Sequence, residues 1–76
     1  MTVFEKVSAI IRAEFPSFRD LLTRETTAHD VDGWDSLAHT SLILRIESEL
    51  NVEIDPDAAM NFENIGALAD YVEAQL

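Results

Sequence analysis

The sequence predicts an all-α fold: a small four-helix bundle of three longer helices and one short helix, with a long loop between helices one and two. Three segments carry apolar residues at the spacing of an amphipathic helix. No strand-like alternation extends beyond residues 52–54, which are too few to build a sheet. The 76 residues contain no cysteine and are 47% hydrophobic, so we expect a single domain, residues 1–76, held by apolar packing.

The first predicted helix spans residues 2–15. Apolar residues recur along it at helical intervals: Val3, Phe4, Val7, Ile10, Ile11 and Phe15. Thr2 and Glu5 have the spacing of a capping box, which predicts the start of the helix. Pro16 predicts its end, because a proline disfavours helical geometry in the residue before it.

Residues 16–35 are predicted to form a long connection. Phe18, Leu21 and Leu22 follow Ser17 at helical spacing, which predicts one short helical turn packed against the core. The rest of the segment has no periodic pattern and is expected to be an irregular loop.

The second predicted helix runs from Ser36 to Leu50 and carries two apolar stripes. The core stripe consists of Leu42, Ile43, Ile46 and Leu50. The other stripe contains Leu37 and Leu44 and is expected to face solvent beside Ser36. An exposed apolar strip suits the docking of a partner protein, although isolated surface leucines are also common without any function.

Two further helices are predicted after residue 54. Asp55 and Pro56 are typical of an N-cap and a first helical position, so a short third helix is expected through about Asn61. Asn64 is predicted to cap the fourth helix. The apolar stripe of that helix, flanked by Tyr71, consists of Ile65, Leu68, Ala69, Val72 and Leu76.

The charge of the chain is strongly and unevenly acidic. Its formal net charge of −10 argues against a nucleic-acid partner, because phosphate backbones are bound by Lys and Arg. Residues 46–76 contain acidic residues and no Lys or Arg, a field that attracts basic partners but also serves simple solubility. Without a membrane-length apolar run or a signal peptide, a monomeric cytoplasmic protein is expected.

The segment Gly33-Trp34-Asp35-Ser36-Leu37 places a hydroxyl at the start of the second helix. Unpaired N–H groups and the helix dipole stabilise an anion at such a position by about 0.3–1 kcal/mol. If Asp35 supplies the N-cap oxygen, the Ser36 hydroxyl is free to carry a phosphate-linked group. If only Asp35 and Ser36 are considered, the simpler interpretation is that Ser36 is the cap. The rest of the sequence is needed to distinguish the two interpretations.

No enzyme active site is evident in the sequence. His29 and His39 lack a recognisable nucleophile or orienting partner, and His39 lies at the edge of the core stripe, where a partly buried packing role is expected. The acid-rich stretch 30–35 does not fit a calcium loop, because position six is Asp35 and position twelve is Ser41. We therefore predict a protein that is not an enzyme and uses no metal.

The segment from Gly33 to Leu37, with the helix after it, resembles the attachment site of the acyl and peptidyl carrier proteins. The resemblance covers nearly the whole chain, through to the C-terminal helical pair. It implies that Ser36, beside Asp35, carries 4′-phosphopantetheine, whose thiol holds an acyl or aminoacyl group as a thioester. The implied partners are a phosphopantetheinyl transferase and the enzymes that load and use the cargo.

The resemblance also implies a docking surface and a pathway. The residues expected to contact partners are Leu37, Thr40, Ser41, Leu44 and Arg45. Carriers of fatty acid synthesis usually present acidic residues early in the second helix, whereas this helix is neutral or nearly so there and Arg45 is basic. Together with Trp34, which is expected to pack the loop against the bundle, this indicates a free-standing carrier of specialised metabolism or another dedicated acyl pathway.

Two alternatives stay open. Six apolar residues, which form core by default, are also placed to shelter a cargo: Ile46, Leu50, Ile54, Ala59, Phe62 and Leu68. For the function as a whole, the alternative is an unmodified acidic helical adaptor that binds a basic protein through the face of Leu37 and Leu44. Acyl and aminoacyl cargo are not distinguished by the residues.

Overall fold

The computed structural model describes all residues 1–76 and confirms the all-α fold. The elements are α1 Val3–Glu14, a 3₁₀ turn Ala28–Asp30, α2 Ser36–Leu50, α3 Pro56–Ala59 and α4 Ile65–Glu73. Helix α1 packs against α2 and α4, and the molecule measures 29 × 27 × 20 Å. None of the helices combines the length and the apolar character needed to cross a membrane.

The predicted starts of α1 and α4 are confirmed by their caps, whereas Asp55 precedes α3 without a capping hydrogen bond from its side chain. Thr2 Oγ1 accepts the Glu5 N–H at 3.1 Å, and Glu5 Oε1 accepts the Thr2 N–H at 2.8 Å, so the predicted capping box is present. The backbone N–H of Thr2, followed by its side chain, lowers the pKa of the Glu5 carboxyl. At the start of α4, Asn64 Oδ1 accepts the Ala67 N–H at 2.8 Å. Local sequence therefore sets where these helices begin.

The core lies between α1, α2 and α4. Three of the four residues in the predicted core stripe of α2 are buried, Leu42 and Ile46 completely and Ile43 nearly so, whereas Leu50 is only partly buried. The inward faces of α1 and α4 contribute Val7, Ile10, Ile11, Ile65, Leu68, Ala69 and Val72. This packing fixes which face of α2 remains in solvent.

Two helices end earlier than predicted. Helix α3 ends at Ala59 rather than Asn61, because the Asn61 side-chain amide donates to the Asp57 carbonyl at 2.6 Å and takes the place of a further turn. Helix α4 ends at Glu73, and the Leu76 N–H bonds to its carbonyl in a tighter turn. Leu76 is exposed, so its placement in the core stripe was wrong.

The predicted helical turn after Ser17 is wrong. The Arg12 guanidinium donates to the carbonyls of Phe18 and Asp20 at 3.4 and 2.9 Å and holds this segment in a non-helical path along α1. Of the leucines expected to pack there, Leu22 is buried but Leu21 is 79% exposed. Three apolar residues at helical spacing were too short a pattern to define a turn.

The short helical turn instead lies nearer to α2, at Ala28–Asp30. The Asp30 carboxylate accepts the backbone N–H of Thr27 at 2.9 Å and its hydroxyl at 3.1 Å. These two hydrogen bonds, with the backbone N–H as the larger cause, lower the pKa of Asp30. A local cap therefore orders the chain just before the segment that leads into α2.

The long loop is fastened to α4 at Gly66. The Gly66 N–H donates to the Arg24 carbonyl at 2.8 Å, and a Cβ at this position would lie 2.9 Å from both Arg24 Cβ and that carbonyl oxygen. Arg24 also pairs with Asp70 at 2.7 Å, which raises the pKa of the guanidinium. Only glycine permits so close an approach without a shift of the loop.

Candidate functional site

Ser36 is the first residue of α2, and its hydroxyl is free. Asp35 occupies the N-cap position, and its Oδ1 accepts the Ala38 N–H at 2.9 Å. Ser36 is exposed, and no hydrogen bond within the protein involves its Oγ. Only its backbone carbonyl is engaged, by the Thr40 hydroxyl at 3.0 Å. The choice left open by the sequence is therefore decided: Asp35 caps the helix and Ser36 does not.

The turn before Ser36 depends on Gly33. This residue has a φ of +89°, in a region that side-chain-bearing residues rarely adopt. Val31, which precedes the turn, is buried with 2% of its surface exposed. Its carbonyl accepts the Trp34 N–H at 3.3 Å. The turn thereby carries the chain from a buried residue to the exposed start of α2.

Trp34 packs this turn against the bundle, as predicted. Its ring stacks on the buried Phe15 with centroids 5.1 Å apart and an interplanar angle of 22°. The indole Nε1–H donates to Nδ1 of His39 at 3.0 Å. Trp34 therefore links the end of α1, the turn before Ser36 and the first turns of α2.

His39 connects α2 to α3. An indole nitrogen can only donate, so Nδ1 of His39 is the acceptor and its imidazole proton resides on Nε2. That Nε2–H donates to the carbonyl of Ala59 at 2.6 Å. The expected partly buried packing role is confirmed. Its hydrogen bonds were missed by the sequence reasoning, which offered no signal that residues 39 and 59 meet.

The face of α2 beside Ser36 is apolar and exposed. Leu37 is 84% exposed and Leu44 60% exposed, which confirms the predicted second stripe. Thr40, between them along the helix, is also exposed. These three residues of the predicted docking set therefore share solvent access.

The other two residues of that set are tied to α1. The Ser41 hydroxyl bonds to Glu14 Oε2 at 3.0 Å, and Arg45 Nη1 lies 3.7 Å from Glu14 Oε1. Arg45 also donates to Glu49 at 2.7 Å, and this hydrogen bond is the largest cause of the raised pKa of its guanidinium. Ser41 and Arg45 thus form the edge of the exposed face, and Glu14 is a contributor that the sequence did not indicate.

A groove of about 460 Å³ lies beside Ser36, between α2 and the end of α3. Met60 lines it and is 78% exposed. Sequence reasoning missed Met60, because the four residues of α3 are too few to show a periodic pattern. The groove is open to solvent, so a chain attached at Ser36 meets no obstruction.

The fold and the site define a small helical protein that presents a free serine hydroxyl at the start of a long helix. Residues 31–72 match the family described as the phosphopantetheine attachment site. The acyl carrier protein of Lactococcus lactis subsp. cremoris (strain MG1363) is 40% identical over 73 residues, which are 96% of each chain. That of Clostridium perfringens (strain SM101 / Type A) is 34% identical over 70 residues, 92% of each chain.

A solved structure gives the same result. The solution NMR structure of the holo acyl carrier protein from Geobacter metallireducens aligns with a TM-score of 0.87 and 35% identity, covering 99% of this chain and 86% of that one. The chain therefore belongs to the acyl carrier protein family, and its cofactor is a covalently attached 4′-phosphopantetheine. The free hydroxyl of Ser36, the cap supplied by Asp35 and the open groove fit such a group.

Proposed function

We propose that Ser36 carries the phosphopantetheine arm and that the protein delivers an acyl or aminoacyl group to partner enzymes without making bonds itself. The observation that carries this proposal is the state of the Ser36 hydroxyl, which is exposed and unbonded because Asp35 supplies the cap. The N–H groups at the start of the 15-residue α2 favour a phosphodiester at this position.

Attachment takes one balanced step. Ser36 Oγ attacks the phosphorus of coenzyme A that bears pantetheine, and the new O–P bond replaces the bond to the departing adenosine 3′,5′-bisphosphate. The hydroxyl proton passes to a base of the transferase. When bound, the arm supplies a thiol that holds the cargo as a thioester, and the chain contains no cysteine to compete with it. Tethering raises the effective concentration of the cargo at each partner.

We propose that the transferase and the other partners dock on the α2 face of Leu37, Thr40 and Leu44, with Ser41 and Arg45 at its edge. The exposure of both leucines supports this, because large apolar side chains grouped on one face suit a protein contact. The face also begins at Ser36, so a partner seated on it has the arm within reach.

The charge of this face supports a dedicated acyl pathway rather than housekeeping fatty acid synthesis. Residues 36–46 contain no acid, and the carboxylates near Arg45 are engaged with it. We expect a malonyl transferase of fatty acid synthesis to load the protein more slowly than it loads a carrier from that pathway. Equal rates would contradict this assignment. The single-domain organisation and the cytoplasmic location are predictions that belong to the same proposal.

The attachment is tested by incubating the protein with coenzyme A and a broad-specificity phosphopantetheinyl transferase and then measuring the intact mass. We expect a gain of one phosphopantetheine, which Ser36→Ala abolishes. Ser48→Ala is the matched control, because it removes an exposed hydroxyl of the same helix outside the docking face, and it is expected to be modified. A native protein that stays unmodified beside a modified control carrier would favour the acidic adaptor instead.

A further inference from the structure

An open groove lies beside Ser36, and a smaller, more enclosed cavity lies next to it. The groove measures about 460 Å³, and the cavity about 40 Å³. Ala28, Trp34, His39 and Phe62 line both spaces and form the partition between them. A group attached to Ser36 starts in the groove, and its direct path into the bundle passes this partition.

The partition is closed by two hydrogen bonds in series. Trp34 Nε1–H donates to His39 Nδ1 at 3.0 Å, and His39 Nε2–H donates to the Ala59 carbonyl at 2.6 Å. The carbonyls at the end of a helix lack partners within it, so His39 satisfies one of those of α3. Because Ala59 is the last residue of α3, the bond holds that end of α3 against α2. We call these two hydrogen bonds the His39 latch.

The interior behind the latch is already filled. Ile46 is fully buried and Leu68 is 2% exposed. Phe62 packs edge-on against Tyr71, with ring centroids 5.5 Å apart and planes at 70°. A space of about 40 Å³ accommodates roughly one water molecule and not an acyl chain. A chain could enter only if α3 moved away, which would leave the imidazole and the Ala59 carbonyl without their partners.

We propose that this carrier holds its cargo outside the bundle, in the groove between α2 and α3, and that the His39 latch keeps the interior closed. This rests on the proposed attachment at Ser36. The cargo is then a short or polar acyl group, aminoacyl groups included, since a long alkyl chain outside the bundle would leave its apolar surface in water. His39 is a positioning residue, because it holds the end of α3 against α2. No cargo contacts it from the interior.

The test compares carriers loaded from acetyl- and octanoyl-coenzyme A, after intact mass has shown that the arm is attached. The methyl NMR signals of Ile46 and Leu68 show whether the cargo enters the interior. The rate of thioester cleavage by hydroxylamine shows whether the protein shields the thioester from solvent. Each rate is compared with that of the same thioester of free pantetheine. We expect both cargoes to leave the core signals at the same positions and to be cleaved with the same relative rate.

Opening the latch is expected to change this result. In His39→Ala, the octanoyl form should shift the Ile46 and Leu68 methyl signals and slow thioester cleavage, whereas His29→Ala, which removes an exposed histidine outside the latch, should behave like the native protein. If His39→Ala does not fold, Trp34→Phe removes one of the two hydrogen bonds and retains a ring.

Three other results would each contradict one of the proposals. Octanoyl-dependent shifts of the core methyls in the native protein would overturn the external placement of the cargo. Folded latch variants indistinguishable from native would overturn the role of His39. Failure of the arm to attach at all would instead refute the proposed function, so the two proposals fail separately.

Discussion

Asp35 Oδ1 accepts the backbone N–H of Ala38 at 2.9 Å, and the hydroxyl of the adjacent Ser36 is consequently left free. In a helix start, a Ser side chain would ordinarily be a good cap itself. Here the carboxylate of Asp35, one residue earlier, caps the helix instead. The Ser36 hydroxyl therefore has no capping role and is available for modification. The proposed attachment depends on this arrangement, in which Asp35 caps the helix and Ser36 presents a free hydroxyl.

Replacing Asp35 by Ala should destabilise the protein. The cap bond to Ala38 is lost, and such losses typically lower the free energy of unfolding by about 0.5–2 kcal/mol. Urea unfolding followed by circular dichroism measures the change. Asp32→Ala is the control, because Asp32 is an exposed acid of the same turn that caps no helix, and it should stay within about 0.5 kcal/mol of native. Equal effects from both substitutions would argue against the cap.

Trp34→Phe should weaken the attachment turn without removing its packing. A phenyl ring can still stack on Phe15, but the hydrogen bond to His39 Nδ1 is lost, at a cost of about 0.5–1.5 kcal/mol. Urea unfolding measures the loss, and the ¹⁵N shift of His39 Nδ1 reports on the hydrogen bond directly. An unchanged nitrogen shift would mean that the indole does not hold this imidazole.

Leu37→Asp and Leu44→Asp should spare the fold and impair modification by the transferase. Both side chains are largely exposed, so each change should alter the free energy of unfolding by no more than about 0.5 kcal/mol. Initial rates of arm transfer measure the effect on docking. Leu21→Asp is the matched control, because Leu21 is 79% exposed but lies in the long loop. Unfolding of either α2 variant would show that its leucine supports the core.

Gly66→Ala should destabilise the contact between the long loop and α4. The added Cβ would lie 2.9 Å from the Arg24 carbonyl oxygen, so the loop must move and the Gly66–Arg24 hydrogen bond must lengthen. Overpacking of this kind costs about 1–3 kcal/mol. The outcome is measured by thermal unfolding and by amide exchange at residue 66. A variant as stable as native, with the same exchange protection, would contradict the close approach.

Acid should remove the stabilisation that Asp30 provides. Its pKa in the folded protein lies below the ordinary value of 3.8, so its charged form stabilises the fold above that pH, and the contribution is lost as the pH falls through the lowered pKa. Asp30→Asn cannot carry the charge. The difference in unfolding free energy between native and Asp30→Asn should be constant from neutral pH to about 3.8 and should shrink below it. A difference that persists in strong acid would refute this.

Features encoded by neighbouring residues were predictable from the sequence. The capping box of Thr2 and Glu5, the cap at Asn64 and the two stripes of α2 each depend on residues within a turn or two of one another. The exposure of Leu37 and Leu44 followed from the same periodicity. For these, the local pattern and the tertiary packing favour the same structure.

Features that depend on distant residues were not predictable. His39 and Ala59 are 20 positions apart, and Ser41 and Glu14 are 27 apart, so no local spacing indicates either contact. The failed turn after Ser17 has the same origin, because Arg12 of α1 binds carbonyls in that segment. The hydrogen bonds of His39 and the contacts of Ser41 with α1 could therefore be found only from the structure.

Locating the arm on the chain tests the proposed attachment at Ser36 most directly. Trypsin is expected to release residues 25–45 as one peptide, which contains five hydroxyl residues: Thr26, Thr27, Ser36, Thr40 and Ser41. After incubation with coenzyme A and a phosphopantetheinyl transferase, fragmentation mass spectrometry of this peptide locates the modified residue. We predict that the phosphopantetheine mass is found on Ser36 alone. Its assignment to any of the other four hydroxyls would contradict attachment at Ser36.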